Sequence, residues 1–315
     1  GDQDLDGFED YITILENNQL LFSSVQIRSG KDDRILREVV QPTHVYAQAP
    51  LPLRADYDGD GRIDYAHHVF GPAPQSRKWV ETYRHDGSLL WKRDFLPYYG
   101  IWAWGIGDVN GDGCHDIAWR DEHNTVKVVS GKDASVLYTV RGPQWDDALG
   151  TGGITGCGDI DADGCDDWAV SSNVHPGPSL VMVISGKTGT ALFTWRRMFN
   201  GFSNDYGCFL HSGHDIDGDG VNDLAVGAGE PKVANSFIRG RIFIYSLRTG
   251  KELFDIGPPY GQNLGFCGSL LLPPLPGKTF GRVLTGDAGA RTPSGQYGRL
   301  FPIDLTPDGV ATVGQ

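Results

Sequence analysis

The stretch DIDGDGVND, residues 215–223, sets Asp215, Asp217 and Asp219 at alternating positions, Gly220 after the third acid and Asp223 at the ninth position. Carboxylates packed this densely repel one another and oppose a compact loop. A hard dication reverses that balance. Ca²⁺ takes roughly six to eight oxygens at ~2.3–2.6 Å, and acids at positions 1, 3 and 5 with Gly at 6 supply them from one tight turn. For a single stretch, a polar Asp/Gly turn that serves only local geometry is the plain alternative.

Repetition decides between the two. The pattern D-x-[DN]-x-D-G-x-x-D occurs in GDQDLDGFED at 1–10, DYDGDGRID at 56–64, DVNGDGCHD at 108–116, DIDADGCDD at 159–167 and again at 215–223. The spacing predicts about five Ca²⁺ ions. The first loop offers Asp2, Asp4, Asp6 and Asp10, and the second Asp56, Asp58, Asp60 and Asp64. The third offers Asp108, Asn110, Asp112 and Asp116, with an amide in place of one carboxylate. The fourth offers Asp159, Asp161, Asp163 and Asp167, and the fifth the acids already named. Position 7 varies (Phe8, Arg62, Cys114, Cys165, Val221), as expected if it gives only its backbone carbonyl. An EF-hand would close with Glu at position 12 between two helices. Here the last acid stands at position 9, and YITIL, YAHHVF, IAWR, WAVSS and LAVGA follow, short apolar runs that read as strands.

The 315 residues include 44 Gly and 18 Pro, and no long stretch shows helical periodicity. That composition suits an all-β chain with many turns. DDRILREVV at 32–40 reads as a strand once the repeat is aligned. The longest apolar run, SLLLPPLPG at 269–277, is too short and proline-rich for a transmembrane segment. No signal peptide is visible. The formal charge is −13. Five dications would bring it to about −3 by simple addition, so the acidity is mostly a signature of the loops. It argues against nucleic acid as a partner, which needs a positive surface.

The loops begin at 2, 56, 108, 159 and 215. A period near 50 residues points to a propeller or a solenoid. A second feature recurs in the same phase. VQIRSGKDDRILREV, VKVVSGKDASVLYTV, VMVISGKTGTALFTW and IFIYSLRTGKELFDI each read strand, tight turn, strand, with VETYRHDGSLLWKRD as a weaker copy and GRLFPIDLTPDGVATV in the same frame at the end. Counting back from that last copy places a sixth loop at PLPGKTFGR, 274–282, which lacks acids and is expected to bind nothing. Each unit then holds strand A, metal loop, strand B, a connection, strand C, a turn and strand D. The expectation is a single all-β domain over 1–315, a β-propeller of about six four-stranded antiparallel blades with calcium-binding A–B loops. Its blades would run approximately 1–43, 44–97, 98–146, 147–203, 204–261 and 262–315. A solenoid would have shorter, parallel repeats.

The run from an A strand through D-x-D-x-D-G-x-x-D into LAVGAG resembles the FG-GAP repeats of integrin α-subunit propellers and of many secreted bacterial proteins. The resemblance covers essentially the whole chain. Two departures favour the bacterial type. The Phe-Gly before strand A appears as YYG at 98–100, ALG at 148–150, DYG at 205–207 and NLG at 263–265, and five metal loops exceed the integrin number. The resemblance implies that ligands bind on the face opposite the calcium loops, where D-to-A and B-to-C connections gather. There the chain brings Tyr98, Tyr99, Trp145, Asp146, Asp147, Asn204, Asp205, Tyr206 and Tyr260, aromatics beside acids and amides that suit a glycan or protein ligand. Each Tyr packing over its own blade junction is the alternative.

Other motifs are weaker. SGKTG at 185–189 lacks the upstream Gly of a Walker loop, because position 181 is Val. G-x-S-x-G, H-E-x-x-H and C-x-x-C-H are absent. His67, His68, His211 and His214 read as surface or hydrogen-bonding residues. Trp102 and Trp104 read as blade packing, and Trp119 and Trp168 as core. Five cysteines leave at least one thiol unpaired within the chain, and matched positions on adjacent A strands make Cys208–Cys267 the favoured bridge. Residue 1 already lies in a metal loop, so the first blade is expected to take its A strand from an upstream segment or another chain.

The resulting reading is a non-enzymatic, calcium-stabilised propeller for recognition or adhesion, secreted, on a cell surface or in a periplasm. A polysaccharide lyase or other carbohydrate-active enzyme is the second reading, and a structural module of a surface layer, appendage or larger complex the third. A lyase needs a base and a charge-neutralising group in one cleft, and no such cluster stands out in the sequence.

Overall fold

The computed structural model describes residues 6–8, 11–17, 22–40, 53–70, 78–94, 103–173, 177–198, 206–228, 240–257, 269–291, 297–307 and 309–313. Their strands form antiparallel sheets, each a meander in chain order. The first sheet holds β1 (Tyr11–Asn17), β2 (Phe22–Arg28) and β3 (Ile35–Val40). The second holds β4 (Leu53–Ala55), β5 (Asp64–Phe70), β6 (Lys78–Tyr83) and β7 (Leu89–Asp94). The third holds β8 (Ala103–Gly107), β9 (Asp116–Glu122), β10 (Thr125–Val129) and β11 (Val136–Arg141). The fourth holds β12 (Ile154–Gly158), β13 (Asp167–Ser172), β14 (Ser179–Ile184) and β15 (Ala191–Arg197). The fifth holds β16 (Tyr206–Ser212), β17 (Asp223–Ala228), β18 (Arg241–Ser246) and β19 (Glu252–Ile256). The sixth holds β20 (Ser269–Leu272), β21 (Arg282–Arg291), β22 (Tyr297–Thr306) and β23 (Gly309–Val313).

Each sheet takes its strands from one of the six sequence segments. The first has three strands among the described residues where the others have four. DDRILREVV contributes β3, as its place in the repeat requires. The chain divides within β11 into two compact units, Gly1–Thr139 and Val140–Gln315.

Burial follows strand position. β13 (DWAVSS), β14 (SLVMVI) and β17 (DLAVGA) are buried along their whole length. They are near-continuous apolar runs because both faces of the sheet are covered. The outer strand β15 is only partly buried. In the second unit, Val181, Val183, Leu224, Val226 and Phe243 join the fourth and fifth sheets in one cluster. Ile216, Ile244, Leu271, Val283 and Ile303 join the fifth and sixth. In the first unit, Tyr57, Val80, Trp91, Ile117 and Trp119 join the second and third. Trp119 and Trp168 are core residues, and truncating either to Ala would cost ~3–5 kcal/mol.

The C–D hairpins of the first, third, fourth and fifth sheets share one turn geometry. In SGKTG, Ser185 N donates to Thr190 O at 2.9 Å and Gly189 N to Ser185 O at 2.8 Å. The stretch is thus the turn between antiparallel β14 and β15 and carries no helix for a phosphate to cap. Gly131, in the matching turn after β10, has a packing reason. A Cβ there would stand 1.8 Å from His115 O and 2.6 Å from the Tyr57 ring. The sixth A–B connection, 273–281, is closed by Lys278 N donating to Leu275 O at 2.9 Å and contains no acid.

Candidate metal centres

The second, third and fourth acidic loops hang from the last ladder pair of an A–B hairpin. Ala55 pairs with Asp64, Gly107 with Asp116 and Gly158 with Asp167. The position-9 Asp is therefore both the first residue of strand B and the closing residue of the loop. Position 2 anchors the loop from below, with Tyr57, Val109 and Ile216 fully buried.

Inside the loop, the position-1 carboxylate gathers backbone amides. Asp215 accepts from Gly218 N at 2.6 Å, Asp219 N at 3.1 Å and Gly220 N at 2.7 Å. Asp56 and Asp108 accept from the same three positions of their loops. This requires left-handed backbone at positions 4 and 6, met by Gly218 (φ 81°) and Gly220 (φ 90°). The position-5 carboxylate accepts from the amide of position 7: Phe8, Arg62, Cys114, Cys165 and Val221 each donate at 2.9–3.0 Å.

The position-9 carboxylate spans two elements. Asp64 accepts from Tyr57 N at 3.0 Å and from His85 N at 2.6 Å. Asp116 accepts from Val109 N and Gly131 N, and Asp167 from Ile160 N and Gly186 N. One oxygen thus takes the loop amide and the other the first amide of the C–D turn. In the fifth loop Asp223 Oδ2 accepts from Ile216 N at 2.6 Å, while Asp223 Oδ1 is buried with no hydrogen-bond partner.

The loops bring oxygens of positions 1, 3 and 9 together. Asp56, Asp58 and Asp64, then Asp159, Asp161 and Asp167, then Asp215, Asp217 and Asp223 each offer carboxylate oxygens within 4.8 Å of one another. These three clusters could hold a metal ion. The position-5 acids Asp60, Asp163 and Asp219 were expected to join them and are not members. Instead Asp60 Oδ2 lies 3.2 Å from His85 Nδ1, and Asp219 meets Ser246 Oγ at 3.3 Å and Arg248 Nε at 3.4 Å. In the third loop Asn110 Nδ2 donates to Asp112 Oδ2 at 3.3 Å, so an amide stands where the other loops have a third acid. Of the first loop, Asp6 is described, while Asp2, Asp4 and Asp10 lie outside the described residues.

Burial pushes the position-9 carboxyls up, to about 6 for Asp64 and Asp167 and about 7 for Asp116 and Asp223, with loop acids adding to the effect. A buried carboxylate oxygen without a donor, beside two further acids and held this far from easy ionisation, is the environment a hard cation satisfies. The donor set is all oxygen, which suits Ca²⁺ or Mg²⁺ over softer metals.

The C–D turn also delivers a cation to four of the five loops, a feature the spacing argument missed. Arg84 Nε lies 2.8 Å from Asp58 Oδ2, Lys187 Nζ donates to Asp163 O at 2.7 Å, and Lys31 Nζ lies 3.9 Å from Asp6 Oδ2. The readable signal was the basic residue recurring in S-G-K and S-L-R.

The opposite-end residues divide. Trp145 is 75% exposed and Asp146 is exposed. Asp147 is 3% exposed, and Arg196 donates to both its oxygens at 2.6 and 2.9 Å, so it is a structural acid and not a ligand contact. Tyr206 also needs correction as a contact residue. It is fully buried, donates to Tyr245 Oη at 2.9 Å and meets Phe243 edge-on, because the apolar faces of the fourth and fifth sheets close over it. Tyr98, Tyr99, Trp102, Asn204, Asp205, Tyr260 and Cys267 lie outside the described residues, so the Cys208–Cys267 pairing does too. No disulfide joins two described cysteines, and Cys114 and Cys157 are buried thiols. His211 Nδ1 accepts from Leu271 N at 3.2 Å, a structural bond between the fifth and sixth sheets.

No family model matches the chain, and no curated protein matches it. Solved structures do. BBS1N, crystallised in complex with ARL6DN, is 10% identical, with 98% of this chain and 76% of that chain covered at a TM-score of 0.54. The rhamnogalacturonan lyase YesW is 14% identical at a TM-score of 0.45. That similarity covers 87% of this chain, which spans 65% of the lyase's length, and is too slight to bear on activity. The fold is all-β and propeller-like. Among the described residues no helix is long and apolar enough to cross a membrane.

Proposed function

We propose that the chain is a calcium-stabilised β-propeller of six blades, of the FG-GAP type, that recognises a glycan or protein ligand outside the cytoplasm. The observation that carries the metal assignment is the threefold recurrence of position-1, -3 and -9 carboxylates within 4.8 Å, with Asp223 Oδ1 buried and lacking a donor. Ca²⁺ fits this set better than Mg²⁺. The loops supply several carboxylate oxygens and, by the sequence pattern, the position-7 carbonyl, whereas Mg²⁺ prefers to keep its waters. The ion neutralises the clustered acids and ties each A–B loop to its own C–D turn, and ligand recognition is assigned to the other end of the sheets. The formal charge of −13 argues against nucleic acid as the partner.

Thermal melting tests the metal. At millimolar Ca²⁺ and site affinities near 10⁻⁴ M, linkage gives about 1.4 kcal/mol per site. Three occupied clusters then contribute roughly 4 kcal/mol, a large part of a domain's ~5–15 kcal/mol. The melting temperature is expected to fall in EGTA, to recover with Ca²⁺ and to recover poorly with Mg²⁺. An identical melt after prolonged dialysis against chelator, with metal analysis showing no bound ion, would remove the assignment.

A further inference from the structure

We propose that the end of β15, together with the loop carrying Trp145, is a binding site for a neutral glycan. This rests on the recognition role above and gives it a place and a ligand class. A groove of about 530 Å³ is lined by Thr194, Trp195, Arg196, Arg197, Met198 and Tyr245. Sites for small molecules typically occupy ~300–1,000 Å³. β15 runs in the same direction as β13, away from the loop at 159–167, so Arg196 to Met198 share the end of the sheet where β12 begins.

The loop before β12 is pinned beside that groove. Arg196, in the groove wall, holds both oxygens of Asp147, and Asp147 Oδ2 also accepts from Gln144 N at 2.6 Å. Ala148, the next residue, adopts φ 49°, a left-handed conformation that a side-chain-bearing residue keeps only where its surroundings fix it. Trp145 stands two residues from this clamp and Met198 at the end of β15, and they are 75% and 62% exposed. An indole held in water on a fixed loop is prepared for stacking on the apolar face of a sugar, and its order is established before binding.

Charge selects the ligand class. Arg196 is neutralised by Asp147. Arg197 is ion-paired with Glu252, donates to Tyr245 Oη at 3.0 Å and lies 4.1 Å over the Phe243 ring. Both guanidiniums are thus charge-compensated, and the groove lining offers a polyanion no unpaired cation. Trp195 stacks on Phe193 and on Tyr245, which makes the floor rigid. A hydroxyl-rich, uncharged ligand with one apolar face, a hexose or pentose unit, matches these groups.

Affinity electrophoresis of the full chain, in Ca²⁺, tests this with a β-glucan, a mannan, a xylan, a galactan and a polyuronate in separate gels. Retardation by at least one neutral polymer is expected. Trp145→Ala and Met198→Glu should each raise the dissociation constant at least tenfold with an unchanged melt, Trp145→Phe should bind more tightly than Trp145→Ala, and Lys278→Ala should bind as the unmodified chain. Equal retardation of Trp145→Ala, Met198→Glu and the unmodified chain overturns the site and leaves glycan recognition standing. Retardation by the polyuronate alone overturns the neutral class. No retardation by any polymer overturns the site and glycan recognition together. Unfolding of Trp145→Ala, with Met198→Glu binding normally, makes Trp145 a packing residue and overturns the site.

Discussion

The Gly186 amide donates to the Asp167 carboxylate at 2.9 Å across 19 residues. The bond joins the metal loop of the fourth sheet to the turn between β14 and β15. The same bond recurs as His85 to Asp64 and Gly131 to Asp116. It explains why the acidic loop and the S-G-K turn keep phase along the sequence. The acid closing one is the acceptor that orders the other.

Asp167→Asn should therefore damage two elements. The amide cannot accept from both Ile160 N and Gly186 N, and a buried donor left unpaired costs ~1–3 kcal/mol. One Ca²⁺ should be lost as well. Urea unfolding is expected to show a reduced Ca²⁺ increment, while in EGTA the lost acceptor is offset by removal of a buried charge. A variant with the full Ca²⁺ increment would show that Asp167 serves the hairpin alone.

Asn110→Asp should act with opposite sign in the two conditions. It removes the Asn110–Asp112 hydrogen bond and adds a charge to a loop that already holds three acids. Stability in EGTA should fall by about 0.5–1 kcal/mol, and the third loop should bind Ca²⁺ more tightly. Paired melts with and without Ca²⁺ measure both, and a uniform loss would count against a metal role for this loop.

The pH dependence should also reverse with metal. Asp64, Asp116, Asp167 and Asp223 have folded-state pKa values raised to about 6–7 from an ordinary value of 3.8. Between about pH 4 and 7 the metal-free folded state then binds more protons than the unfolded state, so stability rises as pH falls. With Ca²⁺ bound the same protons must be displaced, so stability falls as pH falls over that window. Exposed acids with lowered pKa, Asp33, Glu38, Asp86 and Asp133, lose their contribution only toward more acidic pH. Urea midpoints at pH 7.5, 6.0 and 5.0 in EGTA and in Ca²⁺ should diverge in slope, and parallel profiles would contradict the metal sites.

The strands, the turns and the acidic loops were legible because they rest on local chemistry repeated in register. Asp at position 9 before LAV or WAV marks loop and strand at once. Even the acid-free loop at 274–282 was found by counting back from GRLFPIDLTPDGVATV. What was not legible depends on contacts between sheets. DYG at 205–207 reads equally as an exposed aromatic turn, and only the packing of Phe243 and Tyr245 shows that Tyr206 is interior. Similarly, the contacts of Asp60 and Asp219 with the hairpin residues His85 and Arg248, 25 and 29 residues further along the chain, could not be read from spacing.

Trp145, Asp146 and Asp147 are consecutive, and alanine substitutions along them should give three different outcomes. Asp147 is buried and held at both oxygens by Arg196, whose side chain is a quarter exposed. Removing the carboxylate strands a largely buried guanidinium and frees the loop before β12, at a cost of roughly 2–4 kcal/mol after allowing for solvent around Arg196. Asp146 is exposed, and its loss should stay within about 0.5 kcal/mol. Trp145 buries too little for its truncation to open a cavity, so its melt should also stay close to that of the unmodified chain. Asp147→Ala should then weaken glycan binding only by loosening the loop, and Asp147→Asn should restore part of it by keeping one hydrogen bond to Arg196. Differential scanning calorimetry of the three variants gives the stability order. A melt for Asp147→Ala equal to that of Asp146→Ala would mean that the clamp does not hold the loop.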